Sequence, residues 1–277
     1  MGTLFVIDCG SRSIKLHEAS GGSVTLAAMR SWDPIGDAGA LGRVGELFAE
    51  LTQDVPRTAR VHVVGTAAAR RDHGVAEALG QVCRALGWSY QTLTHASEAE
   101  LIRDAFGAPR DRDIVNAGGG SIEIVRPKGA AVLLDFGITD LNRRFGLMEE
   151  PARREVAAAR AFVRDALPAL ERPFIYSGGE LSYLRALGAR IGPDGRCDAA
   201  EFERIASRVD GLDNARLETL SPFDPGWMHG AVASNAIVAA CLAKSGLDHY
   251  YASDVNIADG IVAGLAWRAQ HAPDPGL

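Results

Sequence analysis

The residues spaced for phosphate chemistry sit on two glycine-bearing turns. Asp113-Ile114-Val115 leads into Asn116-Ala117-Gly118-Gly119-Gly120-Ser121-Ile122-Glu123, and Ile124-Val125 leads out. Apolar residues enter, three glycines turn and apolar residues leave, the pattern of a β-hairpin with a tip of bare backbone. Glycine lacks a Cβ and can present its N–H to a phosphate at close range. The N-terminus repeats the plan. Leu4-Phe5-Val6-Ile7 fits a buried strand, Asp8-Cys9-Gly10-Ser11-Arg12-Ser13 is the tip, and Ile14-Lys15-Leu16 begins the return. One such turn alone is merely tight; two of matching design, facing across a cleft, would clamp a phosphoryl group.

Other residues could complete such a site. Asp8, just beyond a buried strand, can hold a divalent cation or can start a turn by bonding its own backbone. Thr66 and Arg70 follow a strand end, and Arg70 can bind phosphate bidentately or cap a solvated helix start. Arg71, one position round, is the weaker candidate. Glu98, in the first turn of a helix, is either a helix-dipole acid or a general base for an attacking water. Glu123 lies two residues past the glycines, as a metal or water contact or an exposed strand residue. Ser177-Gly178-Gly179 offers backbone amides or a plain turn. Asp254 is expected to be a helix N-cap. The seven histidines show no HxxxH or HExxH spacing, so no zinc site is expected. His95 reads as a packed or surface residue. There is neither a nucleophile elbow with Ser-His-Asp order nor a basic stripe with interleaved aromatics.

Composition bounds the class. The chain has 277 residues, 47% hydrophobic and 23% charged, with a net charge of −6. That is a globular profile of one large domain or two ordinary ones, and not one built to attract a polyanion as a whole. The scattered cysteines Cys9, Cys83, Cys197 and Cys241 form no CxxC pair and are expected to be reduced, as in a cytoplasmic protein. Neither a signal peptide nor an apolar run long enough to cross a bilayer is expected.

The elements that must position these residues can be read in order. Helical spacing is predicted over 40–53, over Ala67 onward with Val75, Leu79, Val82 and Leu86 on one face closed by Gly87, and from Ser97 as N-cap. Strands are predicted at 24–28, 61–64 and 90–94. The first part thus reads β-β-β-α-β-α. The second part, from the triple glycine, repeats it: strands at 131–136, 174–176 and 250–252, and helices at 141–145, 151–170, 181–187, 199–209, 231–243 and 256–270. An internal duplication follows, with a boundary near 107–113 and the site in the cleft between the halves.

This ordered set resembles the exopolyphosphatase/guanosine-pentaphosphate phosphohydrolase (Ppx/GppA) family of the actin-like ATPase superfamily. Val6 to Ser13 looks like its first phosphate loop, Val64 to Arg70 its threonine/arginine segment, and His95 to Ile102 the segment whose glutamate before alanine is the catalytic base, which falls on Glu98. Asn116 to Glu123 looks like the second phosphate loop, Ser177-Gly178-Gly179 the next glycine turn, and Ser253 to Gly260 the closing strand–helix. The likeness spans residues 3 to 265. It implies two actin-like (ribonuclease H-like) domains, 1–112 and 113–277, each a five-stranded mixed sheet flanked by helices, with the last helix able to pack back on the first domain. It also implies Mg²⁺ or Mn²⁺ at Asp8, Asn116 and Glu123, and phosphate contacts from Gly10, Ser11, Arg12, Ser13, Thr66, Arg70, Gly118, Gly119, Gly120, Ser121, Ser177, Gly178 and Gly179. The expected partner is a small phosphorylated substrate, with no nucleic acid, no membrane and a possible homodimer.

Four departures from the family pattern matter. Asn116 replaces an aspartate, which should weaken Mg²⁺ binding. Arg12 replaces an asparagine, Ala258 an arginine, and the region around Trp227 lacks a Glu-Arg pair. With the short form expected to lack the C-terminal helical domain, these argue against a processive polyphosphate enzyme. The expectation is a small phosphatase acting on short polyphosphate, a guanosine polyphosphate or another phosphorylated metabolite. The alternatives are a phosphate- or nucleotide-binding regulator, or an actin-like small-molecule kinase.

Overall fold

A computed structural model describes residues 3–270 except 38, 108–110 and 149. Runs of buried β-branched residues form the strands and alternate their side chains between two faces. The first sheet uses β1 (Leu4–Cys9), β2 (Ser13–Ser20) and β3 (Ser23–Ser31), then α1 (Val44–Leu51), β4 (Arg60–Gly65), α2 (Ala67–Arg71), α3 (His73–Leu86), β5 (Ser89–Thr92) and α4 (His95–Ala105). Its strand order is β3-β2-β1-β4-β5, antiparallel among β1–β3 and parallel from β1 to β5.

The second part runs β6 (Asp113–Ala117), β7 (Ile122–Val125), β8 (Val132–Leu134), α5 (Ile138–Phe145), α6 (Arg153–Ala166), β9 (Phe174–Ser177) and α7 (Glu180–Ala186). It continues with β10 (Arg196–Asp198), α8 (Ala199–Val209), α9 (Asn214–Glu218), α10 (Ala231–Ser245), β11 (His249–Ala252) and α11 (Ile257–Gln270). Its order, β10-β11-β9-β6-β7-β8, repeats the first topology with one strand added. That sixth strand, β10, has three residues and pairs antiparallel with β11, too short to show a period in sequence.

Three buried clusters hold the layers. Phe5, Ile7, Ile14 and Leu16 face α1 and α3 through Phe48 and Leu79. Val115, Ile122, Phe174 and Tyr250 meet α6, α8 and α10 on the far side of the second sheet. Between the sheets, Val6 and Val64 meet Ile114 and Ile175 around Ala99 and Ile102 of α4 and Ile257, Ala258 and Ile261 of α11. Helix α11 packs directly on α4: a methyl at Gly260 would lie 2.0 Å from the Leu101 carbonyl oxygen, so only glycine fits there. Ala258 is fully buried in this layer.

Caps differ from expectation in two places. Helix α4 starts at His95, with Thr94 as the N-cap accepting from Ser97 N at 3.0 Å. The N-cap before α11 is Asn256, whose Oδ1 accepts from Ala258 N, while Asp254 accepts from the N–H and hydroxyl of Ser182 and so ties the end of β11 to α7. Gly87 closes α3 in the left-handed conformation, as expected. All four cysteines are buried and free.

Candidate active site

The two glycine turns meet. Each is closed by its own backbone, Gly10 N to Ser13 O at 3.0 Å and Gly118 N to Ser121 O at 2.9 Å. A methyl at Gly119 would stand 3.0 Å from Ser11 Cβ, and one at Gly120 2.8 Å from Ser11 Oγ and 2.9 Å from Ala67 Cβ. The glycines are therefore required by the close approach of the other loop. Between the turns is a cavity of about 90 Å³ lined by Gly10, Ser11, Arg12, Ser13, Thr66, Gly118, Gly119, Gly120, Ser121 and Gly178, with Asp8, Glu98, Asn116 and Glu123 among its walls. The Ser11 hydroxyl is buried and has no partner among the described residues, as a donor aimed at a ligand would be. Thr66 donates its hydroxyl to the Cys9 carbonyl at 3.3 Å, tying α2 to the end of β1.

Sheet register brings the carboxylates together. Asp8 is paired with Lys15 on β2, and Asn116 with Glu123 on β7 and with Ser177 on β9. Asn116 Nδ2 donates to Glu123 Oε2 at 2.6 Å, and Ser177 Oγ donates to Asn116 Oδ1 at 3.1 Å. Asp8 Oδ1 and Glu123 Oε1 are buried and accept no hydrogen bond among the described residues. Burial raises the Asp8 pKa despite Lys15. His95 Nε2 comes within 2.9 Å of Glu123 Oε1 but off the hydrogen-bond direction, and its Nδ1 lies 3.2 Å from Asp135 Oδ1.

Orphaned carboxylate oxygens fit an oxygen-seeking cation. Among the described residues, though, no three His, Cys, Asp or Glu side chains could enclose one. An ion here would keep water and substrate oxygens in its shell, the habit of Mg²⁺.

Glu98 reaches the cavity from the first turn of α4 and is only 3% exposed. Arg70 Nη1 donates to its Oε1 at 2.5 Å and to the Leu93 carbonyl at 3.1 Å, and Nη2 reaches Ser121 Oγ at 3.4 Å. Burial pushes the Glu98 pKa up to about 8, with Glu123 adding to the rise and Arg70 opposing it. Desolvation and the neighbouring carboxylate outweigh the ion pair, leaving a base poised near neutrality.

Arg70, Ser177 and Gly179, predicted phosphate contacts, do not line the cavity, and Arg12 lines it without turning its guanidinium to it. Arg70 is turned under Glu98 and does not line the cavity. Ser177 and Gly179 line a neighbouring pocket walled by Tyr176, Tyr183 and Trp227, because Gly179, at φ 117°, packs against the indole. Arg12 keeps its stem on Gly119, but its guanidinium donates to the Gly226 and Trp227 carbonyls at 3.1 and 3.0 Å. Burial there lowers its pKa to about 10.

Sequence reasoning passed over Lys15 and Asn256, ranked Arg71 below Arg70, and read His95 as packed or on the surface. Lys15 and Asn256 line the cavity. Arg71 crosses between the layers to both Asp140 carboxylate oxygens, at 2.9 and 3.0 Å, and to the Gly120 and Asp135 carbonyls. The alternation Ser13, Lys15, His17 along one face of β2 was the available signal for Lys15; for the others no local signal exists.

Two sheets of one topology, with paired glycine turns and carboxylates between them, define a phosphate-handling protein of actin-like fold. The chain belongs to the Ppx/GppA phosphatase family, whose model matches residues 44–262, and this places it among the hydrolases acting on phosphoanhydride bonds. Exopolyphosphatase 2 of Mycobacterium tuberculosis is 31% identical over 240 residues, 75% of each chain. A crystal structure of an Aquifex aeolicus Ppx/GppA family member shares the fold with a TM-score of 0.71 at 17% identity, covering 98% of this chain and 99% of that one. An exopolyphosphatase from Cytophaga hutchinsonii does so with a TM-score of 0.70 at 15% identity, covering 99% and 100%.

Proposed function

We propose that this chain removes the terminal phosphate from a short polyphosphate, a guanosine polyphosphate or another phosphorylated metabolite, within two actin-like domains of residues 1–112 and 113–277. The observation that carries this is the convergence of Glu98 with Asp8 and Glu123 on one cavity between two glycine turns. The Ser11 hydroxyl and the N–H groups of both turns hold the terminal phosphoryl. Glu98 takes a proton from a water as that water's oxygen bonds to phosphorus. The bridging P–O bond breaks, and the leaving group departs with its electron pair. Arg70 holds Glu98 in place. Asp8, Glu123 and Asn116 Oδ1 would hold Mg²⁺ or Mn²⁺, which would supply positive charge against the negative charge gathering on the leaving oxygen.

The test is phosphate release with Mg²⁺ or Mn²⁺ across polyphosphates, guanosine tetra- and pentaphosphate, nucleotides and sugar phosphates, beside Glu98→Gln. Release that vanishes in the variant supports the reading; release that persists removes Glu98 from its role. Because the Asn116 amide already occupies one oxygen of Glu123, a binding protein with little turnover is the second reading, and saturable binding without release from any substrate would establish it.

A further inference from the structure

Beside the phosphate cavity lies a chamber of about 480 Å³, sharing Lys15, Gly178 and Asn256 with it. Small-molecule sites run to about 300–1,000 Å³. The cavity's 90 Å³ holds little beyond a phosphoryl group and its water. Leu26 and Met29 of β3, Phe223, Trp227 and Val255 make the chamber largely apolar and aromatic. Strand alternation strings Ser13, Lys15 and His17 along one face of β2. Ser13 and Lys15 line the cavity, and Lys15 and His17 line the chamber.

His17 is 2% exposed, and neither ring nitrogen has a hydrogen-bond partner among the described residues. Burial and the adjacent Lys15 lower its pKa to about 3, so the ring is neutral, with one donor and one acceptor free. Two unpaired buried nitrogens cost free energy that a ligand's polar atom would recover. The chamber's carboxylates are already engaged: Asp254 by Ser182, Asp259 by the Asn256 N–H at 2.9 Å. A polyphosphate chain continuing inward would bring repeated negative charge into a space that offers it one lysine and two aspartates.

We infer that this chamber binds the organic end of the leaving group, an uncharged ring that packs on Trp227 and Phe223 and whose polar atom meets His17. Lys15 holds the phosphate at the junction. This rests on the hydrolase reading above.

The test compares ATP and GTP with tripolyphosphate, three phosphates each, in Mg²⁺. It uses the wild type, Leu26→Trp, which fills the chamber, and His17→Phe, which keeps the ring and removes the nitrogens. The expected result is a kcat/KM at least tenfold higher for a nucleotide than for tripolyphosphate. That ratio falls at least tenfold in Leu26→Trp, and KM for the nucleotide rises in His17→Phe with no loss of Tm. Equal rates on both substrate types, unmoved by Leu26→Trp, overturn the chamber assignment and leave the hydrolase intact. If none of the three releases phosphate, the hydrolase reading fails, and calorimetry of ADP against pyrophosphate decides the chamber. Tenfold tighter ADP binding that Leu26→Trp abolishes sustains the assignment; equal or absent binding overturns it.

Discussion

Asn116→Asp exchanges an amide donor for a carboxylate 2.6 Å from Glu123 Oε2. Two full charges at 2.6 Å repel by about 6 kcal/mol at an effective dielectric of 20. Keeping a proton on the new carboxylate instead costs ~1.36 kcal/mol per pH unit above its ordinary 3.9, or about 5.6 kcal/mol at pH 8. These figures bound the loss. Position 116 is half-buried, and relaxation and hydration bring the expected value to about 3 kcal/mol, or roughly 6–12 °C in Tm at about 2–4 °C per kcal/mol. The folded-state pKa of the new group lies above its unfolded value. Its deficit is therefore small near pH 4 and grows as pH rises through the folded value. A cation between the carboxylates reverses the loss. At 100 times Kd it returns about 2.7 kcal/mol, against ~0.4 kcal/mol for a wild type with Kd near the working concentration. The assay is thermal melting at pH 5 and pH 8 in EDTA and in Mg²⁺ raised until the variant's Tm stops rising. A variant that melts with the wild type in EDTA at pH 8, and gains no more from Mg²⁺, would refute both the contact and the placement of position 116 at the metal.

Three further outcomes are expected. Glu98→Gln lowers kcat by about 10²–10⁴-fold. It also flattens stability against pH, because the stability that protonated Glu98 retains at low pH is lost as pH rises from its unfolded value through about 8; parallel melting curves for variant and wild type from pH 5 to 8 would contradict the burial argument. Gly120→Ala pushes a methyl against Ser11 and Ala67, and should lower both Tm and phosphate release through separation of the loops; unchanged values would mean the turns do not meet in solution. Arg71→Ala removes the link to Asp140 and Gly120 and should lower kcat roughly tenfold, as a misplaced loop does, with KM for phosphate analogues rising; a change in Tm alone would make Arg71 merely structural.

Much of the fold was legible because its signals are local. Alternating apolar residues, glycine turns and helical spacing act between neighbours a few positions apart, and they marked both hairpins, the order of helices and the position of Glu98 at a helix start. The repeated strand order followed from reading the same plan twice. The amino-acid sequence by itself thus determined the two turns, their glycines and the carboxylates beside them. Tertiary structure decided what those groups face. Register across β6, β7 and β9 set Asn116 between Glu123 and Ser177. The burial of α4 between two sheets raised the pKa of Glu98 and turned Arg70 inward. The close approach of the layers gave Arg71 the loop contact expected of its neighbour and drew Arg12 to the Gly226 and Trp227 carbonyls. Each of these depends on residues dozens to hundreds of positions apart meeting in space, and desolvation exists only once both layers are in place.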